Sequence, residues 1–407
     1  SLHGGNLDGL GGHQWVLSTT KDLKHWSQDS IVIGIDDKWE KSICTGSIVY
    51  YKDKYYAFYA TRLVNNGQVN EQLSYAVSDD GVHFTKQQPN PFYTSAPGYS
   101  KRDFRDPKVF VDANGVFHLF VASWQEHPVM EGAGGCLVHL TSQDLKSWQV
   151  QEPVLTGQGS VPECPDYFYW KGWYYLVYSD NSNTFYVKSH SPYGPWQQPR
   201  YQALNEDWAN VVKTAAFKNG RRIAAAWVPN RLDSKDNTHE IFGGNSLFRE
   251  VRQEPDGTLD TRFPEEMIPD AGQPIKTDLE PMGQEATPIP GGIELNNGGG
   301  VASARITNVP ENARITLEVE PVGGNEEGGL VLKSDREGNN GYRLNLSANN
   351  QSVELGNTGI QGVQGLNHPF TIDLVIKDGI LDADIAHRRT IVNRTYELKG
   401  DVIWLYA

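Results

Sequence analysis

The feature that most constrains this fold is an internal repeat of aromatic strand pairs joined by short turns. Residues 167–170 and 173–178 form one such pair, and comparable pairs occur within 48–59, 109–121 and 214–227. An outer segment of each repeat closes on an aromatic residue, and these closing residues lie 58, 64 and 48 positions apart: Trp26, Phe84, Trp148 and Trp196. Such a period holds about four short strands with their loops, which is the size of a β-propeller blade.

Counting the repeats predicts the domain organisation. There are five units, but the first has only its outer part, residues 13–26. Residues 270–292 are rich in Pro and Gly without periodicity, which predicts a linker. Short alternating strands return in residues 293–407 and suit a β-sandwich. We therefore predict an all-β protein: a five-bladed β-propeller over residues 1–269 whose first blade lacks its inner strands, a linker over 270–292 and a β-sandwich over 293–407.

The net charge and the spacing of the cysteines argue against several classes of partner and ligand. The net charge of −14 disfavours a nucleic-acid or anionic-membrane partner, and the longest apolar runs are too short to span a bilayer. The cysteines Cys44, Cys136 and Cys164 lack metal-site spacing and are expected to be buried thiols. We predict no metal site and no cofactor, and the oligomeric state stays open. The first residues do not follow the pattern of a signal peptide, and the chain starts at Ser1 rather than Met, so processing of the N-terminus is an open alternative. We expect a secreted or periplasmic protein, with the cytoplasm as the alternative.

Two acidic stretches stand out, one around Asp106 and one around Glu163. Each carboxylate precedes an aromatic, strand-like run, and each stretch carries a proline, which favours the first residue of a strand over its middle. Because these runs begin the inner strands of units three and four, the repeat brings both carboxylates to one mouth of the channel. Two carboxylates among many Trp and Tyr residues suggest glycoside hydrolysis. The alternative is a turn cap at Asp106 and a surface ion pair at Glu163.

Further candidates for contact with a sugar come from residue type alone. Trp15, Trp39 and Trp227 are candidates for stacking on a sugar ring, with core packing as the alternative for each. Thr45 is a candidate hydrogen-bonding partner of the substrate, with a plain strand position as the alternative. Asp166 is expected to face the sheet or a turn.

The two acidic stretches carry a family resemblance. Phe104-Arg105-Asp106-Pro107 and Glu163-Cys164-Pro165 resemble the two signature motifs of glycoside hydrolase family 32, the group of invertases, inulinases and levanases. The resemblance implies a five-bladed propeller plus sandwich and retaining hydrolysis of β-fructofuranosides of the sucrose, inulin or levan type. It also implies that Glu163 is the general acid/base and that Asp106 holds the fructosyl hydroxyls. By the same resemblance Arg105 keeps Asp106 ionised, and Trp15 contacts an oligo- or polysaccharide substrate.

One departure from the family pattern keeps other functions open. The family nucleophile is an Asp in a Trp-Met-Asn-Asp-Pro-Asn-Gly-like motif, and this sequence has no such motif. Asn6-Leu7-Asp8-Gly9 echoes it faintly, and we interpret Asp8 as a loop residue. A non-catalytic carbohydrate-binding pseudoenzyme is therefore one alternative. An arabinofuranosidase- or xylosidase-like propeller hydrolase with inverting chemistry is another.

Overall fold

The computed structural model describes residues 12–181, 183–206, 209–275, 277, 279–296, 298–322 and 327–407. Over these ranges it contains 31 β-strands and three single-turn 3-10 helices, without an α-helix. No helix in the described ranges has the length and apolar character needed to cross a membrane. The predicted all-β class is therefore confirmed.

The strands follow one another along nearly the whole described chain. Their bounds are β1 Trp15–Leu17, β2 Ser30–Ile33, β3 Ser42–Tyr51, β4 Lys54–Asn65, β5 Gln68–Ser78, β6 Thr85–Lys86, β7 Tyr99–Val111, β8 Phe117–Gln125, β9 Gly135–Ser142, β10 Gln149–Gln158, β11 Glu163–Trp170, β12 Trp173–Asp180, β13 Asn183–Ser189, β14 Ala203–Asn205, β15 Asn210–Ala216, β16 Arg222–Arg231, β17 Glu240–Gln253, β18 Leu259–Arg262, β19 Leu279–Met282, β20 Ala286–Ile289, β21 Gly292–Leu295, β22 Ser303–Ile306, β23 Ala313–Val319, β24 Glu327–Ser334, β25 Tyr342–Ser347, β26 Ser352–Leu355, β27 Thr358–Gln361, β28 Phe370–Lys377, β29 Ile380–Ile385, β30 Arg389–Arg394 and β31 Val402–Tyr406. The 3-10 turns are Lys218–Gly220, Leu232–Ser234 and Glu265–Met267.

The chain divides into two compact units, and the first comprises residues 1–181 and 185–197. It contains antiparallel sheets in which sequential strands are neighbours: β3-β4-β5-β6, β7-β8-β9-β10 and β11-β12-β13. Each predicted aromatic pair forms the first hairpin of its sheet, as in the pairing of Trp170 with Trp173. The leading strands β3, β7 and β11 lie side by side, with β7 in the middle. The β3–β6 and β7–β10 sheets have four strands each, and four-stranded sheets with neighbouring first strands are the arrangement of propeller blades.

Apolar side chains from neighbouring sheets form the core of the first unit. Phe58 and Leu73 from the β3–β6 sheet pack with Phe104, Leu119 and Val121 from the β7–β10 sheet, and all five are fully buried. These side chains come from the alternating positions that the sequence pattern assigns to one face of a strand. Ahead of these sheets lies the two-stranded sheet of β1 and β2, where the sequence predicts a blade with only its outer part.

The second unit comprises residues 182–184 and 198–407. It contains the four-stranded sheet β15-β16-β17-β18, which is the fifth aromatic repeat. It also contains a seven-stranded sheet, β19-β22-β31-β24-β25-β26-β27, and a four-stranded sheet, β23-β28-β29-β30. Leu344 and Leu355 from the seven-stranded sheet share one buried core with Leu374, Leu381 and Ile391 from the four-stranded sheet. Two sheets packed face to face across such a core form a β-sandwich.

Residues 270–292 contain more structure than a linker requires. β19 pairs with β22 at the edge of the seven-stranded sheet, and β20 pairs with β21 in a short hairpin. The sandwich sheets thus begin before residue 293. The domain boundaries at 269 and 292 stay predictions.

Candidate active site

The two acidic stretches coincide with β-bulges in the leading strands of neighbouring sheets. The register of β7 against β8 shifts between Arg105 and Lys108, and that of β11 against β12 shifts between Glu163 and Asp166. In each case two residues of the leading strand occupy the space of one partner residue, which bends the strand and re-aims its side chains. β3 carries the same irregularity between Ile43 and Gly46.

Both bulges hold a residue in a left-handed backbone conformation. Asp106 has φ 55° and Cys164 has φ 50°, and a proline follows each of them. Positive φ is uncommon for residues other than glycine and concentrates at functional sites. The prolines occupy bulges and not strand beginnings, since β7 begins at Tyr99 and β11 at Glu163. The expectation that each proline marks the first residue of a strand is therefore wrong.

Ser47 ties the bulge of β7 to its neighbour β3. Its hydroxyl donates to the carbonyl oxygen of Pro107 at 2.8 Å and accepts from the backbone N–H of Val109 at 2.7 Å. Because Pro107 and the bulge interrupt the ladder, these two bonds replace backbone pairing that the strand cannot make. The side chain of a neighbouring sheet thereby holds the backbone beside Asp106 in place.

The guanidinium group of Arg105 contacts four carboxylates of the site. Its Nη2 donates to Oε1 of Glu163 at 3.0 Å, and its Nη1 donates to Oε2 of Glu71 at 3.1 Å and to Oδ1 of Asp103. Its Nε lies 3.8 Å from Oδ2 of Asp106. Burial opposes the charge of the guanidinium, but the carboxylates of Asp106 and Glu71 outweigh burial and hold the Arg105 pKa above its ordinary value. One fixed, planar cation thus spans both predicted catalytic carboxylates.

Asp106 is buried and accepts a hydrogen bond from the Glu163-Cys164-Pro165 motif. Its side chain is 4% exposed, and its Oδ2 accepts a hydrogen bond from the backbone N–H of Cys164 at 3.0 Å. The Cys164 Sγ lies 3.4 Å from the same oxygen. Burial, together with the negative charges of Glu71 and Glu163, outweighs the opposing effect of Arg105 and raises the pKa of Asp106 to about 6. Within the described residues Oδ1 of Asp106 accepts no hydrogen bond, which leaves this oxygen for a substrate hydroxyl.

Glu163 is the accessible member of the pair. Its side chain is 45% exposed, whereas that of Asp106 is almost fully enclosed. A general acid must reach the proton acceptor of the substrate directly, so an exposed carboxyl beside a buried one suits the two roles. The structure therefore brings Glu163, Asp106 and Arg105 together from residues 58 positions apart in the chain.

Comparison with known families decides the affiliation. Residues 6–259 match the family model described as "Glycosyl hydrolases family 32 N-terminal domain". This chain belongs to glycoside hydrolase family 32. The prediction made from the Arg-Asp-Pro and Glu-Cys-Pro motifs is thereby confirmed.

Curated relatives of this family 32 chain are distant in sequence. A "Levanbiose-producing levanase" of Bacillus subtilis is 25% identical over 285 residues, covering 61% of this chain and 52% of the relative. A "Sucrose-6-phosphate hydrolase" of Escherichia coli is 24% identical over 269 residues, covering 60% of this chain and 54% of the relative. The matched part thus spans about half the length of these two proteins.

Solved structures show the fold. The beta-fructofuranosidase of Bombyx mori has a TM-score of 0.71 at 17% identity, covering 97% of this chain and 82% of that one. Fructan 1-exohydrolase IIa of Cichorium intybus, solved with 1-kestose, has a TM-score of 0.69 at 14% identity, covering 97% and 88%. Both neighbours have a propeller followed by a β-sandwich, which confirms the predicted fold class, a five-bladed β-propeller followed by a β-sandwich.

The other predicted substrate-contacting residues of this family 32 chain lie in different parts of the structure. Trp15 lies at the start of β1 and donates from Nε1 to the carbonyl oxygen of Cys44 at 2.8 Å, next to Thr45 in the bulge of β3. Trp39 lies partly buried in the turn between β2 and β3. Trp227 belongs to the second unit, where it stacks on Phe242 with ring centroids 6.0 Å apart. The substrate-binding role of each remains a prediction.

Glu71 is the site residue that the sequence reasoning missed. It is buried in β5, where it accepts from Nη2 of Arg62 at 2.8 Å as well as from Arg105. The period of two along β5 places Glu71 on the same face as Leu73 and Tyr75. A carboxylate on an apolar face requires a buried cation, and this is the signal that could have identified it.

Asp166, Cys44 and Cys164 have surroundings typical of residues that stabilise the fold. Asp166 is buried and accepts a hydrogen bond from Nζ of Lys108 at 2.6 Å. Burial and the charge of Glu71 raise the pKa of Cys44 to about 12, which keeps its thiol protonated. Cys164 is buried, with its thiol against the carboxylate of Asp106. Asp8 lies outside the described residues.

Proposed function

We propose that this chain carries the hydrolytic site of a β-fructosidase, a retaining glycosidase that releases fructose from sucrose, inulin or levan. The contact of one guanidinium, that of Arg105, with both Glu163 and Asp106 is the observation that carries the proposal. Family membership and the names of the relatives, a levanase and a sucrose-6-phosphate hydrolase, support the substrate class. An oligo- or polysaccharide of fructose is therefore the proposed partner.

Glu163, Asp106 and Arg105 have different roles in the proposed reaction. Glu163, exposed at the surface of the site, donates a proton to the glycosidic oxygen as the bond breaks and later removes one from the attacking water. Asp106 uses its unoccupied Oδ1 to accept hydrogen bonds from fructosyl hydroxyls. Arg105 fixes the orientation of both carboxylates and favours the ionised form of Asp106.

The charge balance of the site favours the transition state. Around Arg105 and Arg62 lie four carboxylates, those of Glu71, Asp103, Asp106 and Glu163. When these carboxylates are ionised, the cluster carries an excess of negative charge in a largely buried setting. Preorganised negative charge stabilises the oxocarbenium-like cation that develops on the fructosyl ring.

Retention also requires a carboxylate nucleophile about 5–5.5 Å from the acid. Asp8 is the candidate that the sequence offers, and Asp8→Asn tests it. Loss of turnover would identify Asp8 as the nucleophile, whereas unchanged turnover would mean that a different carboxylate is the nucleophile and that Asp8 is a loop residue. The absence of the family nucleophile motif supports the second candidate function, a fructan-binding module without turnover. Family 32 membership argues against the arabinofuranosidase- or xylosidase-like alternative.

Product analysis on sucrose, inulin and levan tests the proposal. We expect fructose release by the chain, with the β-anomer appearing first by NMR. Glu163→Gln should lower the rate by about 10²–10⁴-fold. Glu152→Gln, an exposed carboxylate on β10, is the matched control and should leave the rate unchanged. No fructose from any of the three substrates, or equal rates for Glu163→Gln and wild type, would overturn the proposal. Binding without release would favour the pseudoenzyme.

A further inference from the structure

A cavity in the β-sandwich has no part in the site described above. Its volume is about 390 Å³, within the range of roughly 300–1,000 Å³ typical of small-molecule sites. Its wall combines residues 309–311 before β23, Lys333 in β24, Ile376 in β28 and residues 399–403 leading into β31. All of these segments belong to the second unit, so the cavity is a feature of that unit alone.

Lys333 is the unusual residue of this cavity. As a whole residue it is 6% exposed, and it lines the cavity. Within the described chain its ammonium group makes no hydrogen bond or ion pair and is not enclosed by protein, so it faces the solvent of the cavity. Lysine is rarely buried to this extent, and here the aliphatic stem is enclosed while the charged end remains accessible from the cavity. Burial and the nearby charge of Lys399 lower the pKa of Lys333, while Glu311 and Asp236 favour its charged form from beyond contact distance.

The backbone holds Lys333 in this position. The register of β24 against β31 shifts between Val331 and Ser334, and Lys333 has φ 51° within that bulge. The returning chain passes so close that a Cβ atom on Gly400 would lie 1.9 Å from the carbonyl oxygen of Ser334. Only glycine fits there, so the bulge and the chain above it form one tightly packed wall.

The rest of the wall restricts the kind of ligand. Val309, which is half-buried, and Pro310, which is exposed, supply an apolar surface to the cavity, and Ile376, Val402 and Ile403 lie buried behind it. Glu311 and Asp401 are exposed lining residues whose carboxylates accept hydrogen bonds but repel a second anion. An inorganic anion would gain from Lys333 yet meet two like charges. A sugar ring carrying one anionic group presents hydroxyl donors to the carboxylates and an apolar ring face to the aliphatic wall.

We propose that this cavity binds an anionic monosaccharide, a sugar acid or sugar phosphate, with its charged group paired to Lys333 and Lys399. The anionic group of the ligand supplies the direct ion pair that Lys333 does not make within the described chain, since Glu311 and Asp236 act on it only from a distance. The proposal is independent of the function proposed for Glu163 and Asp106, since the cavity shares no residue with them.

Calorimetric titration of the full chain tests the proposal, with D-glucuronate and D-glucose 6-phosphate as probes and D-glucose and inorganic phosphate as comparisons. We expect at least one anionic sugar to bind with a dissociation constant below about 1 mM, and both comparisons to bind at least tenfold more weakly. Lys333→Met should weaken binding of the anionic sugar at least tenfold. Lys377→Met, an exposed lysine next to Ile376, is the matched control and should leave binding unchanged.

Lys399→Met provides a second variant in case Lys333→Met does not fold, because Lys399 is exposed. It should weaken binding two- to tenfold without altering the far-ultraviolet circular dichroism spectrum. The proposal is overturned if neither anionic sugar binds, if glucose or phosphate binds as tightly, or if a folded Lys333→Met or Lys399→Met variant binds as well as wild type.

Discussion

Replacing Asp106 by asparagine should remove activity while making the protein more stable at neutral pH. Burial is the largest cause of its raised pKa, about 6 in the folded chain against an ordinary value of 3.8. Asparagine is nearly isosteric, and its side-chain oxygen can still accept from the backbone N–H of Cys164. The substitution therefore removes the cost of a buried negative charge and keeps the local hydrogen bond.

The pKa difference sets the size and the pH range of the effect. The folded state binds the proton of Asp106 more tightly than the unfolded state, so its contribution to stability is intact below pH 3.8. It is lost progressively as the pH rises through 6. A shift of this size corresponds to about 3 kcal/mol. Asp106→Asn should thus gain about 3 kcal/mol of unfolding free energy over wild type at pH 7.5, but only about 0.5 kcal/mol at pH 4.

Urea unfolding of wild type and variant at pH 4 and pH 7.5 measures this difference, and fructose release measures the activity. Asp79→Asn makes the same chemical change at a side chain that is 81% exposed, and it should show no pH-dependent gain. If Asp106→Asn raised the free energy of unfolding equally at both pH values, or lowered it at pH 7.5, burial would not be the cause of a raised pKa at this carboxyl. Full activity in Asp106→Asn would remove it from the site.

Three further changes test the packing around the site and the acid stability of the first unit. Lys108→Met should cost about 3–5 kcal/mol in urea unfolding, because it breaks the ion pair between Lys108 and the buried carboxylate of Asp166; a cost below 1 kcal/mol would contradict this. Ser47→Ala should cost about 1–3 kcal/mol, since two backbone groups of β7 lose their partner, and unchanged stability would argue against the tie. Burial, reinforced by His118, lowers the pKa of buried His139 from 6.5 to about 4, so the unfolded chain takes up that proton first as the pH falls. Wild type should lose about 3 kcal/mol more than His139→Phe between pH 6.5 and 4, and parallel pH profiles would rule this out.

The motifs around Asp106 and Glu163 could be predicted because they are local. Each is a short stretch whose residue types identify the family, and the spacing of the aromatic repeats assigns each motif to the leading strand of its own sheet. The bulges could not be predicted, because whether a proline begins a strand or interrupts it depends on pairing with β8 and β12. The expected strand beginnings at Pro107 and Pro165 were wrong for this reason.

Alternating side chains, short turns and a constant repeat length were enough to determine the all-β class and the series of sheets, because these patterns reflect the strand geometry of neighbouring residues. The partners of Arg105 were decided only by the tertiary structure. Glu71 and Glu163 lie 34 and 58 residues away from it in the chain. They contact Arg105 because β5, which carries Glu71, and β11, which carries Glu163, both pack against β7. The burial that raises the pKa of Asp106, and the unpaired charge of Lys333, are likewise properties of enclosed space, which no single stretch of sequence specifies.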